Sequence, residues 1–283
     1  MGEGGAEAPG KVLVAPPPHP GPLPLEGERG RGRLHGSALI LLILLLGCAT
    51  DPEAANGEKP SLREAALAAE SGFDYRTAAA NYRTLYAQTP DDPDVALGLA
   101  RMLRYIGEIR EATAVLDDAT TRFGATGPLL LENGKLQIAM DRHDMALAAL
   151  ERARGVDPAN WQVHSSIGVA LDHLLRHQEA QGAYRTALTL APDNPTILNN
   201  LALSLAQSGA LDQALSTLDR AVHHPDATVQ MRQNLALLKA LRGDVAAAQR
   251  LSSKDLPPSM ADHNAEYYRL LSTRIAQRKR TPR

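Results

Sequence analysis

A repeat of 34 residues constrains the fold of this chain more than any other feature of its sequence. Six alanines follow one another at this spacing: Ala78, Ala112, Ala146, Ala180, Ala214 and Ala248. Four residues beyond each of the first five lies a larger apolar side chain: Tyr82, Leu116, Leu150, Tyr184 and Leu218. A period of this length indicates an array of small units, none of which can bury its apolar face alone. The units are therefore expected to stack on one another.

Turn-forming residues stand at fixed places in the period. Glycine lies five residues before the marker alanine at Gly107, Gly209 and Gly243, and proline ends the unit at Pro90, Pro158 and Pro192. Glycine permits a tight turn and proline ends a helix, so each unit reads as helix, turn, helix. Small residues are expected where the paired helices approach most closely, at Gly134, Gly168, Ala202 and Ala236, because larger side chains would overpack that contact.

This pattern resembles the tetratricopeptide repeat over residues 59–256. The resemblance implies an all-α fold, a right-handed superhelix of about six helix–turn–helix repeats. Phe73 and Leu175 occupy turn positions where glycine is expected, and Ser252 and Asp255 make the sixth repeat irregular. "SMAD", Ser259–Asp262, resembles a helix start, so residues 257–283 are predicted to form a capping helix with a basic tail.

The only cysteine, Cys48, follows an apolar run, "ALILLILLL", with Gly47 between them. Nine residues of helix cover roughly 14 Å, which is too short to span a bilayer. Arginines precede the run, and Leu45-Leu46-Gly47-Cys48 resembles the bacterial lipoprotein signal. Residues 34–48 are therefore predicted to be a signal peptide ending at a lipidated Cys48, followed by a polar linker over 49–58. A buried core helix is the alternative.

The residue after Cys48 is Ala49. In lipoproteins of the class that Cys48 resembles, an aspartate at this place holds the protein at the inner membrane. Its absence favours transfer to the outer membrane, with the repeat domain facing the periplasm.

Residues 1–33 are rich in proline and glycine and cannot build a core. They also make the segment before the apolar run long for a signal peptide. We therefore expect that the natural start codon lies further downstream. Peptides from residues 1–33 in the unprocessed precursor would contradict this hypothesis.

Charge and motif content argue against nucleic acid and against catalysis. Lys+Arg 30 nearly balances Asp+Glu 32, whereas nucleic-acid binding usually needs a concentrated basic excess. His143, His173 and His177 are separated along the chain without the companion carboxylates or cysteines of a metal signature. No nucleophile–base pair or phosphate loop is recognisable. We therefore expect no enzyme activity, cofactor, metal or small-molecule substrate.

The first helix of each repeat carries the candidate binding positions. By resemblance to the tetratricopeptide repeat, the ninth residue of this helix faces the concave side. These positions are Leu67, Arg101, Lys135, Val169, Leu203 and Leu237, positive in the first half and apolar in the second. The fifth positions Ser165, Asn199 and Gln233 are expected to edge the apolar part. This stripe could accept an amphipathic partner helix, or it could pack within the array.

The C-terminal third carries a closer resemblance. "RQNLAL" at 232–237, "DLPP" at 255–258 and the cluster of Tyr267, Tyr268, Leu270 and Leu271 are similar to TadD proteins of the tight-adherence (Flp) pilus assembly system, over about 195–271. The resemblance implies an outer-membrane lipoprotein that acts as a pilotin-like scaffold for the pilus secretin. A lipid-anchored repeat scaffold for envelope proteases or for outer-membrane insertion is the alternative.

Overall fold

A computed structural model describes residues 61–280, and in these residues the chain forms thirteen α-helices. They are α1 (Leu62–Ser71), α2 (Tyr75–Gln88), α3 (Pro93–Tyr105), α4 (Ile109–Phe123), α5 (Gly127–Ala139), α6 (His143–Val156), α7 (Trp161–His173), α8 (His177–Leu190), α9 (Pro195–Gln207), α10 (Leu211–Val222), α11 (Val229–Arg242), α12 (Val245–Asp255) and α13 (Pro258–Arg280). The predicted signal segment, Cys48 and the linker over 49–58 lie outside the described residues.

Helices α1 to α12 form six helix–turn–helix repeats. The odd-numbered helix of each repeat is called its A helix here, and the even-numbered helix its B helix. Each A helix packs against the B helix of its own repeat, and each B helix packs against the next A helix. The expected fold class, an all-α array of tetratricopeptide-type repeats, is confirmed for the described residues.

Side chains at the helix starts explain where many of the A helices begin. Asp92 and Asn194 each accept hydrogen bonds from two backbone N–H groups of the first turn, and a proline follows each of them. These caps satisfy donors that have no partner inside the helix. Pro158 and Pro192, predicted to close repeats, lie in the connections after α6 and α8.

The turn inside every repeat places one residue in the left-handed backbone region. These residues recur every 34 positions: Phe73, Gly107, Asp141, Leu175, Gly209 and Gly243, with φ between 59° and 102°. The left-handed conformation costs a non-glycine residue roughly 1–2 kcal/mol. Leu175, with 77% of its surface exposed, gains little there from packing. Contacts between the two helices therefore impose the turn geometry even where glycine is missing.

The marker alanines lie where the helices pack most tightly, and all six are fully buried. Two of the small A-helix residues face a large side chain of their own repeat. A methyl group on Gly134 would lie 2.5 Å from Leu150, and one on Gly168 would lie 2.5 Å from Tyr184. The expected close approach is thus confirmed at these two positions. Their large partners stand four residues beyond the marker alanine.

Helix α13 closes the C-terminal end of the array. In the sixth repeat, Ser252 stands where earlier repeats carry a large side chain such as Leu218. Tyr268 of α13 is buried in a cluster with Ala236, Ala240 and Ala248 of the sixth repeat. Asn264 of α13 donates to the Ser252 hydroxyl across 3.0 Å. The capping helix expected from the sequence is therefore present, and it supplies the bulk that the sixth repeat lacks.

The close approach at Gly168 leads to a prediction with a control in the neighbouring helix. Gly168→Ala should lower the free energy of unfolding by about 1–3 kcal/mol, because its methyl group collides with the Tyr184 ring. Gly182→Ala should raise it by about 0.5–1 kcal/mol, because Gly182 lies within α8 with open space around it. Urea unfolding of both variants measures the difference, and equal effects would contradict this account of the packing.

Candidate functional site

The six ninth-position residues form one row along successive A helices. α3 contacts α5, α5 contacts α7, α7 contacts α9, and α9 contacts α11, so the A helices line one continuous side of the array. None of the six side chains is fully buried. We call these residues the A-helix row: Leu67, Arg101, Lys135, Val169, Leu203 and Leu237. Every residue of the row therefore keeps some solvent-accessible surface.

The apolar part of the A-helix row consists of Val169, Leu203 and Leu237, and all three are partly buried. Val169 packs against the large core of the middle repeats, and Leu237 packs against the cluster around Tyr268. Each side chain therefore has one side on the array and another toward solvent. Whether they form a groove for a partner or serve only internal packing stays a prediction to be tested.

The fifth-position residues are less accessible than the sequence suggested. Ser165 and Asn199 are 7% and 2% exposed. The Asn199 carbonyl accepts a 2.8 Å hydrogen bond from the side-chain amide of Asn234, which joins the fifth and sixth repeats. Gln233 is partly buried, and its side-chain carbonyl accepts a bond from Ser252. In this conformation Ser165 and Asn199 offer almost no surface for a partner.

Ion pairs reduce the positive charge expected in the first half of the row. Arg101 bonds Glu70 across 3.1 Å. Arg104, one turn further along α3, bonds the buried Glu132 of α5 across 2.6 Å. Lys135, one turn after Glu132, forms no hydrogen bond or ion pair within residues 61–280. Two carboxylates therefore offset two of the three cations, and Lys135 carries the remaining charge.

Lys135 is held in surroundings that disfavour its charge. Burial lowers the pKa of its ammonium group, and the positive charges of Arg104 and Arg101 lower it further. The attraction of Glu132 opposes this shift without cancelling it. A partly buried cation without a counter-ion costs stability, and a carboxylate from a partner would recover that cost.

Two histidines that are 30 residues apart in the sequence lie together in the structure. The rings of His143 and His173 stack with their centroids 4.2 Å apart. Asp141 lies 2.7 Å from Nε2 of His143, and Asp172 lies 2.9 Å from Nδ1 of His177. Both carboxylates are close in sequence, since Asp141 precedes His143 by two residues and Asp172 precedes His177 by five. Partial burial, followed by repulsion from His143, lowers the pKa of His173.

The hydrogen bonds around Asp172 connect neighbouring repeats. Within residues 61–280 no group of three or more histidine, cysteine, aspartate and glutamate side chains is arranged to hold a metal ion. Asp172 accepts bonds from Ser204 across 2.7 Å and from the Tyr184 hydroxyl across 3.0 Å. Ser204 is fully buried and bonds the carboxylate rather than an imidazole. Asp172 therefore links the fourth repeat to the fifth.

The contrast between Lys135 and Arg104 yields a prediction. Lys135→Met should raise the free energy of unfolding by about 0.5–1 kcal/mol, because it removes an unpaired, partly buried charge. Arg104→Met should lower it by about 3 kcal/mol, because Glu132 would stay buried without its cation. Denaturant titrations compare the two variants. A destabilising Lys135→Met would mean that Lys135 serves the fold.

A family model described as tetratricopeptide repeat matches residues 131–195 and 174–229. The protein y4yS of Sinorhizobium fredii is 34% identical over 113 residues, which are 40% of this chain and 62% of y4yS. Protein O-mannosyl-transferase TMTC1 of Mus musculus is 27% identical over 160 residues, which are 54% of this chain and 17% of that protein. The chain thus spans less than two thirds of each of these relatives.

Among the described residues, no helix has both the length and the apolar composition for a membrane crossing.

Two solved structures share the fold. TTC0263, a tetratricopeptide-repeat protein of Thermus thermophilus, has a TM-score of 0.57 at 21% identity, covering 61% of this chain and 94% of its own. The pilF protein of Pseudomonas aeruginosa has a TM-score of 0.54 at 16% identity, covering 67% of this chain and 86% of its own. At these identities the likeness extends to the fold alone. Together with the repeat geometry, these matches show that the chain contains tetratricopeptide repeats.

Proposed function

We propose that the protein is a lipid-anchored scaffold that holds a segment of a partner protein along the A-helix row. Tetratricopeptide-repeat arrays are suited to this task, since a stack of repeats offers an extended surface rather than a closed pocket. The observation that carries the proposal is the row itself, an accessible line of apolar side chains at Val169, Leu203 and Leu237 with the unpaired Lys135 beside it.

The chemistry of the row specifies the kind of segment that it would hold. An amphipathic helix could lay its apolar face on Val169, Leu203 and Leu237, each of which has further surface to bury. Each apolar side chain contributes up to about 1.5–3 kcal/mol on full burial, and less from a partly buried start. A carboxylate at one end of the segment would meet Lys135. The segment is therefore apolar along the fourth to sixth repeats and acidic next to the third.

The proposed partner is the secretin of a tight-adherence pilus machine. The similarity of residues 195–271 to TadD proteins supports this choice. In the structure, the residues of this similarity stabilise the last repeat, because Arg232 bonds Asp255 through two nitrogens and Tyr268 of α13 is buried against α11 and α12. The proposed place of action is the periplasmic face of the outer membrane, where a lipid on Cys48 would hold the repeats. No catalytic step is proposed.

A charge on the row tests the binding surface. Leu203→Glu should reduce recovery of the secretin with the purified protein at least about tenfold, because a buried, unpaired carboxylate opposes docking of an apolar face. Its melting temperature should stay within about 2 °C of the wild type. Gln213→Glu, which adds the same charge at an exposed position on α10, should retain the secretin.

Different outcomes separate the alternatives. Unfolding of Leu203→Glu would show that Leu203 packs within the array. A wild-type protein that recovers envelope proteases or insertion machinery in place of the secretin would overturn the choice of partner and leave the scaffold role standing.

The anchor has its own test in cells. Cys48→Ser removes the sulfur to which the lipid would be attached, so the protein should leave the outer-membrane fraction. The repeat domain should keep its helical circular dichroism and its melting temperature, since Cys48 lies outside residues 61–280. Unchanged membrane fractionation of the variant would refute the anchor.

A further inference from the structure

A pocket between the fifth and sixth repeats is separate from the A-helix row. A cavity of about 380 Å³ lies between α10, α11 and α12. Its lining combines an apolar part and a cationic part: Val222, Leu235 and Leu251, and Lys239, Arg250 and Lys254. This volume is within the range of small ligand sites and accommodates one or two large side chains.

The pocket and the row lie on different faces of α11. At 100° per residue, Arg232, Leu235 and Lys239 share one face of the helix. Gln233 and Leu237 lie on the other side. A partner that occupies the A-helix row therefore leaves the pocket free, and the two surfaces can be altered independently.

The cationic lining departs from the pattern of the other repeats. Lys239 occupies the position of Leu103, Leu171 and Leu205, which are all at most 5% exposed, and of Ala69 and Gln137 in the first and third repeats. Arg232 occupies the position of the buried Leu130 and Leu198. Three of the five other repeats carry leucine at each place, and the sixth repeat carries lysine or arginine there. The stacking of repeats does not require these charges.

One of the two replacements is compensated within the repeat. Arg232 forms a two-nitrogen pair with Asp255, at 2.7 and 2.9 Å, and Asp255 itself stands where other repeats carry a small apolar residue such as Ala221. The pair neutralises the charge of Arg232. Arg232 therefore helps to shape the pocket without adding net charge to it.

The other cations have no such partner. The side chains of Lys239, Arg250 and Lys254 form neither a hydrogen bond nor an ion pair in the part of the chain that the structure describes. Asp219 is the acidic residue of the lining, and it lies 3.6 Å from Nδ1 of His223, itself at the pocket. The rim therefore has an excess of two positive charges over an apolar floor, on a protein whose total charge is nearly balanced.

We infer that this pocket is a second docking site, which takes an acidic peptide segment with a large apolar side chain at its centre. The apolar side chain would lie on Val222, Leu235 and Leu251, and flanking carboxylates would pair with Lys239, Arg250 and Lys254. Charge complementarity selects an acidic partner, and the apolar floor favours a peptide over a free phosphate. A partner that also binds the row would gain affinity from the linkage of the two sites.

The probe is a fluorescein-labelled peptide in which leucine and phenylalanine are flanked on each side by two glutamates. Fluorescence anisotropy with the full-length protein should show binding that weakens as salt is raised. The triple variant Lys239→Gln, Arg250→Gln, Lys254→Gln should bind at least about tenfold more weakly. Ala247→Leu should weaken binding to a similar degree, because it fills the pocket without changing its charge.

A matched control removes the same charge elsewhere. The triple variant Arg76→Gln, Arg110→Gln, Arg185→Gln alters exposed cations of other B helices and should change affinity by less than about twofold. Leu203→Glu should leave peptide binding unchanged. The test of the pocket is therefore independent of the test of the A-helix row, and either proposal can be refuted while the other stands. Lys239→Leu restores the leucine of other repeats, so it should raise the melting temperature while it weakens binding.

Four results would overturn the inference. Equal losses of peptide affinity in the two triple variants would indicate nonspecific electrostatic attraction. Loss of peptide binding in Leu203→Glu would assign the peptide to the A-helix row. Unchanged affinity of the stable Lys239→Leu variant would exclude the pocket. Tighter binding of phosphatidylglycerol vesicles or inorganic phosphate than of the peptide, dependent on the same three cations, would assign the site to a phosphate group.

Discussion

The close approach of the two helices within each repeat is the contact on which the rest of the array depends. At Gly168 the backbone of α7 lies so near the Tyr184 ring that a single methyl group would be 2.5 Å away. On the other helix of this pair, α8, the small and fully buried Ala180 allows the same close approach. Because the next A helix packs on this B helix, a shift in one pair would displace the following repeats. The position of the A-helix row is therefore set by residues that no partner touches.

This dependence explains why the period predicted the fold so well. The marker alanines, the small A-helix residues and the capping helix are encoded by spacing and side-chain size, and the structure has them where the spacing places them. Local preference matters less, as the left-handed turns at Phe73 and Leu175 show. A preference of roughly 1–2 kcal/mol against leucine there is outweighed by the packing of two whole helices.

The candidate site was less predictable, because pairs between repeats decide it. Asn199 was expected at an accessible edge, yet Asn234 on the next A helix satisfies its carbonyl and buries it. The 35-residue spacing of Asn199 and Asn234 places them on neighbouring A helices, and this spacing could have predicted the bond. His143 and His173 stack because the third and fourth repeats meet there, and Arg101 is paired because Glu70 lies on the preceding A helix. A period gives the position of each residue but not the chemistry of its neighbour.

Departures from the period are therefore of two kinds, those that another residue of the chain compensates and those that none compensates. Ser252 leaves space that Tyr268 of α13 fills, and Arg232 brings a charge that Asp255 neutralises, so both are balanced inside the molecule. Lys239 replaces a leucine without gaining a counter-ion, and Lys135 keeps a charge that its surroundings disfavour. Packing of the helices does not require the charge of Lys135 or of Lys239. Each of these two uncompensated cations lies in a surface that we propose to bind a partner.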